Sequence, residues 1–269
     1  MLEVTTDKVR REKDFHNQWA QSIRIDDLLV RETFDAPTAI ENRYALTQLG
    51  SLKGKRGLDL GCGAGESSVY LALQGAEVHA CDVAEEFLAV AGALAGKFGV
   101  QLSLSHAEAS HLPYAENFFD FVYANGVLHH TDLIPAAKEI SRVLKPGGKG
   151  VFIEPLPYNP LINIYRLMAK GVRTEDEKPL SFDDIRKFST YFSSLRHEEF
   201  WFFSQLVFFH FYFVRGWNPS KVRYWKKIIE EAGSYAALFG SLQRMDRVFL
   251  KALPFCKPLC WNSVIVVVK

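Results

Sequence analysis

From residue 52 onward the apolar positions of this chain switch repeatedly between two spacings. Short runs rich in Val, Leu, Ala and Phe at 57–60, 77–81, 102–106, 119–124 and 148–154 predict β-strands. The segments 66–74, 85–98 and 133–144 read as helices instead, and Phe87, Val90, Leu94 and Phe98 share one face of the second. Strands alternating with helices predict a parallel sheet covered on both faces. Lys145-Pro-Gly-Gly148 reads as a turn between a helix and the next strand. Upstream, residues 7–20 read as a polar helix with Phe15 and Trp19 one turn apart on a common face.

Beyond Glu154 this regularity breaks. Pro155, Pro157 and Pro160 interrupt it, 161–170 can be helical, and 173–179 is a polar loop. Residues 200–214 are dense in aromatics, yet the run is shorter than the roughly 20 apolar residues of a membrane span. It reads as a strand giving way to a buried or interfacial helix. Segments 221–231 and 238–250 look helical, and Ser263-Val-Ile-Val-Val-Val268 predicts a well-covered final strand.

Length and composition bound these elements. The 269 residues suit one large α/β domain, or one domain with an elaboration, and 48% hydrophobic with 23% charged residues is ordinary for a globular chain. With 32 Lys and Arg against 31 Asp and Glu, the net charge of +1 argues against a general nucleic-acid surface. The opening residues show no apolar run of signal-peptide length, so a cytoplasmic location is expected. Cys62 and Cys81 read as small core residues; Cys256 and Cys260 flank Lys-Pro-Leu without a second pair at metal-ligand spacing. Neither a metal nor a disulfide is expected.

The chemistry begins at Gly57-Leu-Asp-Leu-Gly-Cys-Gly-Ala-Gly-Glu66. A strand, a glycine turn and a helix let backbone lie directly against a flat polar cofactor, with unpaired N–H groups at the helix start. A dinucleotide site would read Gly-x-Gly-x-x-Gly, but the sixth position is Glu66, a poor neighbour for a diphosphate. The pattern is Asp-x-Gly-x-Gly-x-Gly, and an acceptor at Asp59 suits a ligand bearing an ammonium group. Asp82 follows at the end of the second strand, about where an acid meets ribose hydroxyls. Together they point to S-adenosylmethionine.

Later segments extend the pattern: Cys81-Asp-Val-Ala, Ala107-Glu-Ala-Ser-His-Leu-Pro-Tyr, Phe118-Phe-Asp-Phe-Val-Tyr-Ala-Asn-Gly-Val-Leu-His-His and Arg142-Val-Leu-Lys-Pro-Gly-Gly. In this order and spacing the chain resembles the class I S-adenosylmethionine-dependent methyltransferases, of the small-molecule group called methyltransferase type 11. The resemblance covers residues 52–151. It implies an α/β, Rossmann-like, seven-stranded and mostly parallel sheet with helices on both faces. The last strand is then antiparallel, with an N-terminal helical lid (1–50), a cofactor-binding core (51–155) and a helical insertion before the last strand (within 156–269). The last two strands would lie near 196–203 and 261–268.

The resemblance also implies roles. Asp59 and the backbone of Leu60, Gly61, Cys62 and Gly63 would meet the methionine part, Asp82 the ribose, and Val83 the adenine. Ala107 and Glu108 would reach the adenine edge, with Asn125 and Val127 near the transferable methyl. Phe15 and Trp19 either dock the first helix or close it over the cofactor. His130, less strongly His129, and His16 if the lid closes, are the candidate proton acceptors; packing against the sheet is the alternative reading. Glu154, Tyr158, Asn159 and Arg173 either contact the acceptor or hold the insertion. The aromatic run fits an apolar acceptor, a dimer surface or simple packing. The implied product is S-adenosylhomocysteine and the implied partner a small-molecule methyl acceptor, with no nucleic acid and no membrane span. Peripheral membrane contact, a monomer or a homodimer stay open, as does a cofactor-binding module without catalysis. Nucleic-acid methylation is disfavoured because Ala124-Asn-Gly-Val replaces an Asn/Asp-Pro-Pro-Tyr/Phe segment.

Overall fold

The structure, a computed structural model, describes residues 7–169, 171 and 177–269. Seven strands form one sheet in the order β3-β2-β1-β4-β5-β7-β6. They are β1 (Arg56–Leu60), β2 (Glu77–Asp82), β3 (Leu102–His106), β4 (Phe119–Asn125), β5 (Leu144–Pro155), β6 (Ser194–Phe200) and β7 (Asn262–Val268). β1 to β5 pair in parallel, and β7 inserts antiparallel between β5 and β6. β6 thus runs with the parallel set.

Period-two alternation decides which residues face which layer. Val122, Ala124, Phe152, Ile265 and Val267 pack against α6 (Leu133–Val143) and α8 (Phe182–Ser189). Their neighbours Phe121, Tyr123, Val151, Ile153, Val264 and Val266 turn to the opposite layer. That layer is built from α3 (Ile40–Leu49), α4 (Glu66–Leu73) and α5 (Glu85–Phe98). The helices α1 (Asp7–Gln21) and α2 (Glu32–Asp35) precede them, and Trp19 meets Phe87 of α5 edge-on at 5.3 Å.

The turn expected at 145–148 is absorbed into β5. Leu144 pairs with Phe119 and Lys149 with Phe121, so the residues between them bulge out of register. Gly147 takes φ 74° there, and its N–H donates to the carbonyl of Lys269, tying the chain end to the bulge.

The insertion contains α7 (Pro160–Met168), a helical run over 204–214 that includes α9 (Val207–Phe209), α10 (Tyr224–Glu230) and α11 (Ala232–Ala252). Its own core joins Ile162, Tyr165, Phe208, Phe211, Tyr224, Tyr235 and Phe239 to Trp201 and Trp261 at the sheet edge. Trp201, at φ 73°, marks where β6 gives way to the helical run, earlier than the 203 expected from sequence.

Candidate active site

The glycine turn follows β1 with Gly61 at φ 66° and Gly65 at φ 86°. A side chain at Gly65 would place its Cβ 2.7 Å from that of Ala91, so glycine there lets α4 pack on α5. The N–H groups of Gly61 and Cys62 donate to the Cys81 carbonyl at 2.8 and 3.0 Å. Asp82 completes the lock: its carboxylate accepts from the N–H of Gly63 and of Ala84, both at 2.9 Å. The turns after β1 and β2 are therefore one hydrogen-bonded unit.

Asp59 is buried and accepts the Ser68 hydroxyl at 2.5 Å. Burial pushes its carboxyl up to about 7, and the Ser68 hydrogen bond opposes the shift. Burial also raises the Asp82 carboxyl, against the pull of its N–H donors. Both acids border a cavity of about 390 Å³ at the C-terminal ends of β1, β2 and β4, where ligands gather in open α/β sheets. Leu60, Gly61, Cys62, Gly63, Val83, Ala107, Glu108, Asn125 and Val127 border it as well, with Trp19, His16 and His130 on its far side.

A second cavity of about 310 Å³ shares His16, Trp19, Asn42, Asn125, His130 and Trp225 with the first. Its own walls include Phe15, Trp201, Trp261, Glu41 and His129. Glu41 accepts from the Trp201 indole N–H and from Asn262 Nδ2, and burial raises its carboxyl.

The shared wall carries a histidine–carboxylate network. His130 Nδ1 lies 2.9 Å from Glu12 Oε1, and its ring stands 6.2 Å from that of His16. Burial holds both imidazoles below their usual pKa, so both are mostly neutral at neutral pH. His129 Nδ1 lies 2.7 Å from Glu154 Oε2 behind them. Glu154 also accepts the N–H groups of Val127, Leu128 and His129, and burial pushes its carboxyl up to about 7. His129, His130 and Glu177 bring one ligand-type atom each within 4.8 Å of one another, so a cation entering the site would meet this trio.

Residues 58–152 match the methyltransferase-domain family. The match is to a methyltransferase domain and spans about a third of the chain. The domain is 33% identical over 134 residues to a sterol 24-C-methyltransferase of Gibberella zeae, covering 48% of this chain and 35% of that protein. It is 32% identical over 130 residues to a demethylmenaquinone methyltransferase of Staphylococcus aureus, covering 47% of this chain and 53% of that one. The chain thus spans about half or less of these curated relatives. Among solved structures it is similar in fold to a phosphoethanolamine N-methyltransferase of Haemonchus contortus. That similarity has a TM-score of 0.59 at 19% identity, covering 96% of this chain and 60% of the other.

Other expected site residues stand elsewhere around the methyltransferase domain. Glu154 lies behind the shared wall and clamps the 127–129 turn rather than lining either cavity. Asn159 caps α7, accepting from Leu161 and Ile162 N–H and donating to Gln205 Oε1 and the Leu259 carbonyl. The Tyr158 hydroxyl accepts from Phe182 N–H, and neither Tyr158 nor Asn159 borders either of these two cavities. Arg173 lies outside the described residues. Phe15 faces the second cavity only.

Sequence reasoning missed several residues. Glu12 precedes His16 by one helical turn, a visible signal, but its partner His130 is 118 positions away. The Glu66 carboxylate accepts Leu29 N–H at 2.7 Å and tethers the segment between α1 and α2. Arg223 of the insertion lies 3.6 Å from the Trp19 ring centroid, so α1 and the insertion meet at the first cavity.

Proposed function

We propose that the chain transfers a methyl group from S-adenosylmethionine, bound in the first cavity, to a small acceptor in the second. The observation that carries this reading is that two cavities share one wall, and the titratable residues gather on it. The residues fit the donor. A buried Asp59 carboxylate held near pKa 7 is a group that an ammonium would relieve, and a Cβ at Gly63 would meet nothing within 4 Å, leaving open space beside the turn. Asp82 and Val83 would hold ribose and adenine, and Ala107 and Glu108 the adenine edge.

When bound, the sulfonium supplies an electrophilic methyl and a neutral thioether leaving group. The protein has to align the acceptor, exclude water and accept a proton where the acceptor carries one. His130 would take that proton at Nε2, and Glu12 at Nδ1 would stabilise the imidazolium formed. His16 lies close enough to serve a differently placed acceptor. Phe15, Trp19, Trp201, Trp225 and Trp261 favour an acceptor with an apolar or aromatic ring. The names of the sterol and demethylmenaquinone relatives lend weight to that class.

Calorimetry with S-adenosylhomocysteine on wild type and Asp82→Ala tests the donor site. A loss of about 100-fold in affinity is expected, and undiminished binding would remove Asp82 from it. Transfer of labelled methyl from the cofactor into a metabolite extract, read by mass spectrometry, separates catalysis from a binding module without turnover.

A further inference from the structure

Among the described residues, all fifteen large hydrophobic side chains that stand exposed lie between Tyr158 and Leu259. They are not scattered. The run 204–214 lies along α11 in the opposite direction. Ser204 bonds Asp246 at one end, and the His210 ring meets Tyr235 at the other. α7 lies on its other side, with Asn159 bonded to Gln205 and Tyr165 packed on Phe208. The inner faces of the three helices form the insertion core, and their outer faces carry Ile164 and Leu167, Phe209 and Phe213, and Met245 and Val248. Phe213 and Val248 are 71% and 72% exposed.

Charge says what covers this face. Residues 204–259 hold nine Lys and Arg against three Asp and Glu, in a chain whose total is only +1, and of the nine Arg223 turns to the first cavity and Lys257 pairs with Glu198 and Glu199. On α11 the exposed Arg244, Arg247 and Lys251 alternate with Met245 and Val248, while Asp246 is buried against Ser204. We propose that this three-helix face seats on an anionic lipid surface, its apolar side chains entering the headgroup boundary and its basic ones meeting phosphates. Apolar and basic residues sharing a helix face are the pattern of an interfacial helix. A second copy meeting the same face by two-fold symmetry would set one basic face carrying Arg244, Arg247 and Lys251 against another, which is repulsive. No described helix is long and apolar enough to cross a membrane, so the contact is peripheral. This inference does not depend on the methyl-transfer reading.

The test is co-sedimentation with phosphatidylglycerol/phosphatidylcholine vesicles and with phosphatidylcholine vesicles alone, using the full chain. Wild type should bind the anionic vesicles, weaken with added salt, and bind neutral ones less. Phe213→Ser with Val248→Ser, and separately Arg244→Glu with Arg247→Glu, should each lower partitioning by about tenfold or more. Affinity for S-adenosylhomocysteine should stay unchanged, which shows the variants are folded and keeps this test apart from that of the donor site. Wild type that stays in the supernatant, or variants that partition like wild type, would overturn the proposal. So would a concentration-dependent dimer, seen by light scattering, that the same substitutions disperse while no vesicle binding occurs.

Discussion

The first five strands with their turns, residues 51–155, and the insertion helices, α7 with residues 204–252, solve different problems with different materials. In the sheet, buried carboxylates hold neighbouring turns together. Asp82 fastens two turns, Glu154 gathers three N–H groups and an imidazole, and no large hydrophobic side chain there stands exposed. In the insertion, aromatic rings interlock on the inside and apolar side chains face outward. The first arrangement fixes geometry within fractions of an ångström and fails when one partner is lost. The second tolerates change on its outer face, because those side chains stand exposed.

A pair of substitutions measures that contrast most directly. Glu154→Ala strands a buried imidazole and three N–H groups, and should cost about 3–5 kcal/mol in urea unfolding. Phe213→Ser, at a side chain 71% exposed, should stay within about 0.5 kcal/mol of wild type. Equal losses would mean that the outer face of the insertion is as tightly specified as the sheet, and the comparison would fail.

Glu12→Gln probes the place where the two regions meet. Glutamine keeps an oxygen for His130 Nδ1 but removes the charge that would stabilise an imidazolium. On the proposed mechanism kcat should fall by about 100-fold, while affinity for S-adenosylhomocysteine changes by less than about threefold. Wild-type kcat should decline as pH drops below the His130 pKa, which burial places under the ordinary histidine value. In Glu12→Gln that decline should move to lower pH, because the carboxylate raises the His130 pKa and without it the imidazole gains a proton less readily; a profile unchanged in both height and shape removes the pair from catalysis.

The same contrast explains what could be read from the sequence. Asp59, the glycines and Asp82 lie within one strand–helix–strand unit, where position along the chain nearly dictates position in space. The alternation in β4 and β5 likewise announces both buried layers. Glu12 and His130 are far apart in sequence and meet only because α1 folds across the ends of β1 and β4. Trp201, Trp225 and Trp261 reach the second cavity from three separate segments, so no local spacing marks them as one wall. Asn159 resembled a substrate contact because it follows β5, yet its polar atoms go to capping α7 and bracing the insertion. Local grammar records backbone needs, whereas the second cavity is assembled by tertiary packing.

A smaller effect is expected at Asp59. Its folded-state pKa of about 7 lies above the ordinary aspartate value, so between those values the folded protein holds more protons than the unfolded chain. Its contribution therefore falls as pH rises from about 4 to about 7. Asp59→Asn should flatten that part of the stability profile and raise the ligand-free Tm at pH 7.5 by about 2–4 °C, or about 1 kcal/mol. The gain should coincide with weaker S-adenosylhomocysteine binding, marking a residue kept for the ligand at the expense of the fold. A lower Tm, or unaltered binding, would place Asp59 among the structural groups.

The smallest effect concerns the contact that joins the insertion to α1. Arg223 lies over Trp19, and burial lowers its pKa to about 10, leaving it charged at neutral pH. Arg223→Gln removes the charge while keeping much of the length, and the lost cation–π attraction is about 0.5–1 kcal/mol. Because the contact bridges two segments across the cavity, the loss should appear in ligand release rather than in global unfolding. S-adenosylhomocysteine should dissociate about two- to fivefold faster in stopped-flow experiments, with the urea midpoint nearly unchanged. A shifted midpoint with an unchanged off-rate would make Arg223 part of the insertion's packing, and would separate the insertion from control of the donor cavity.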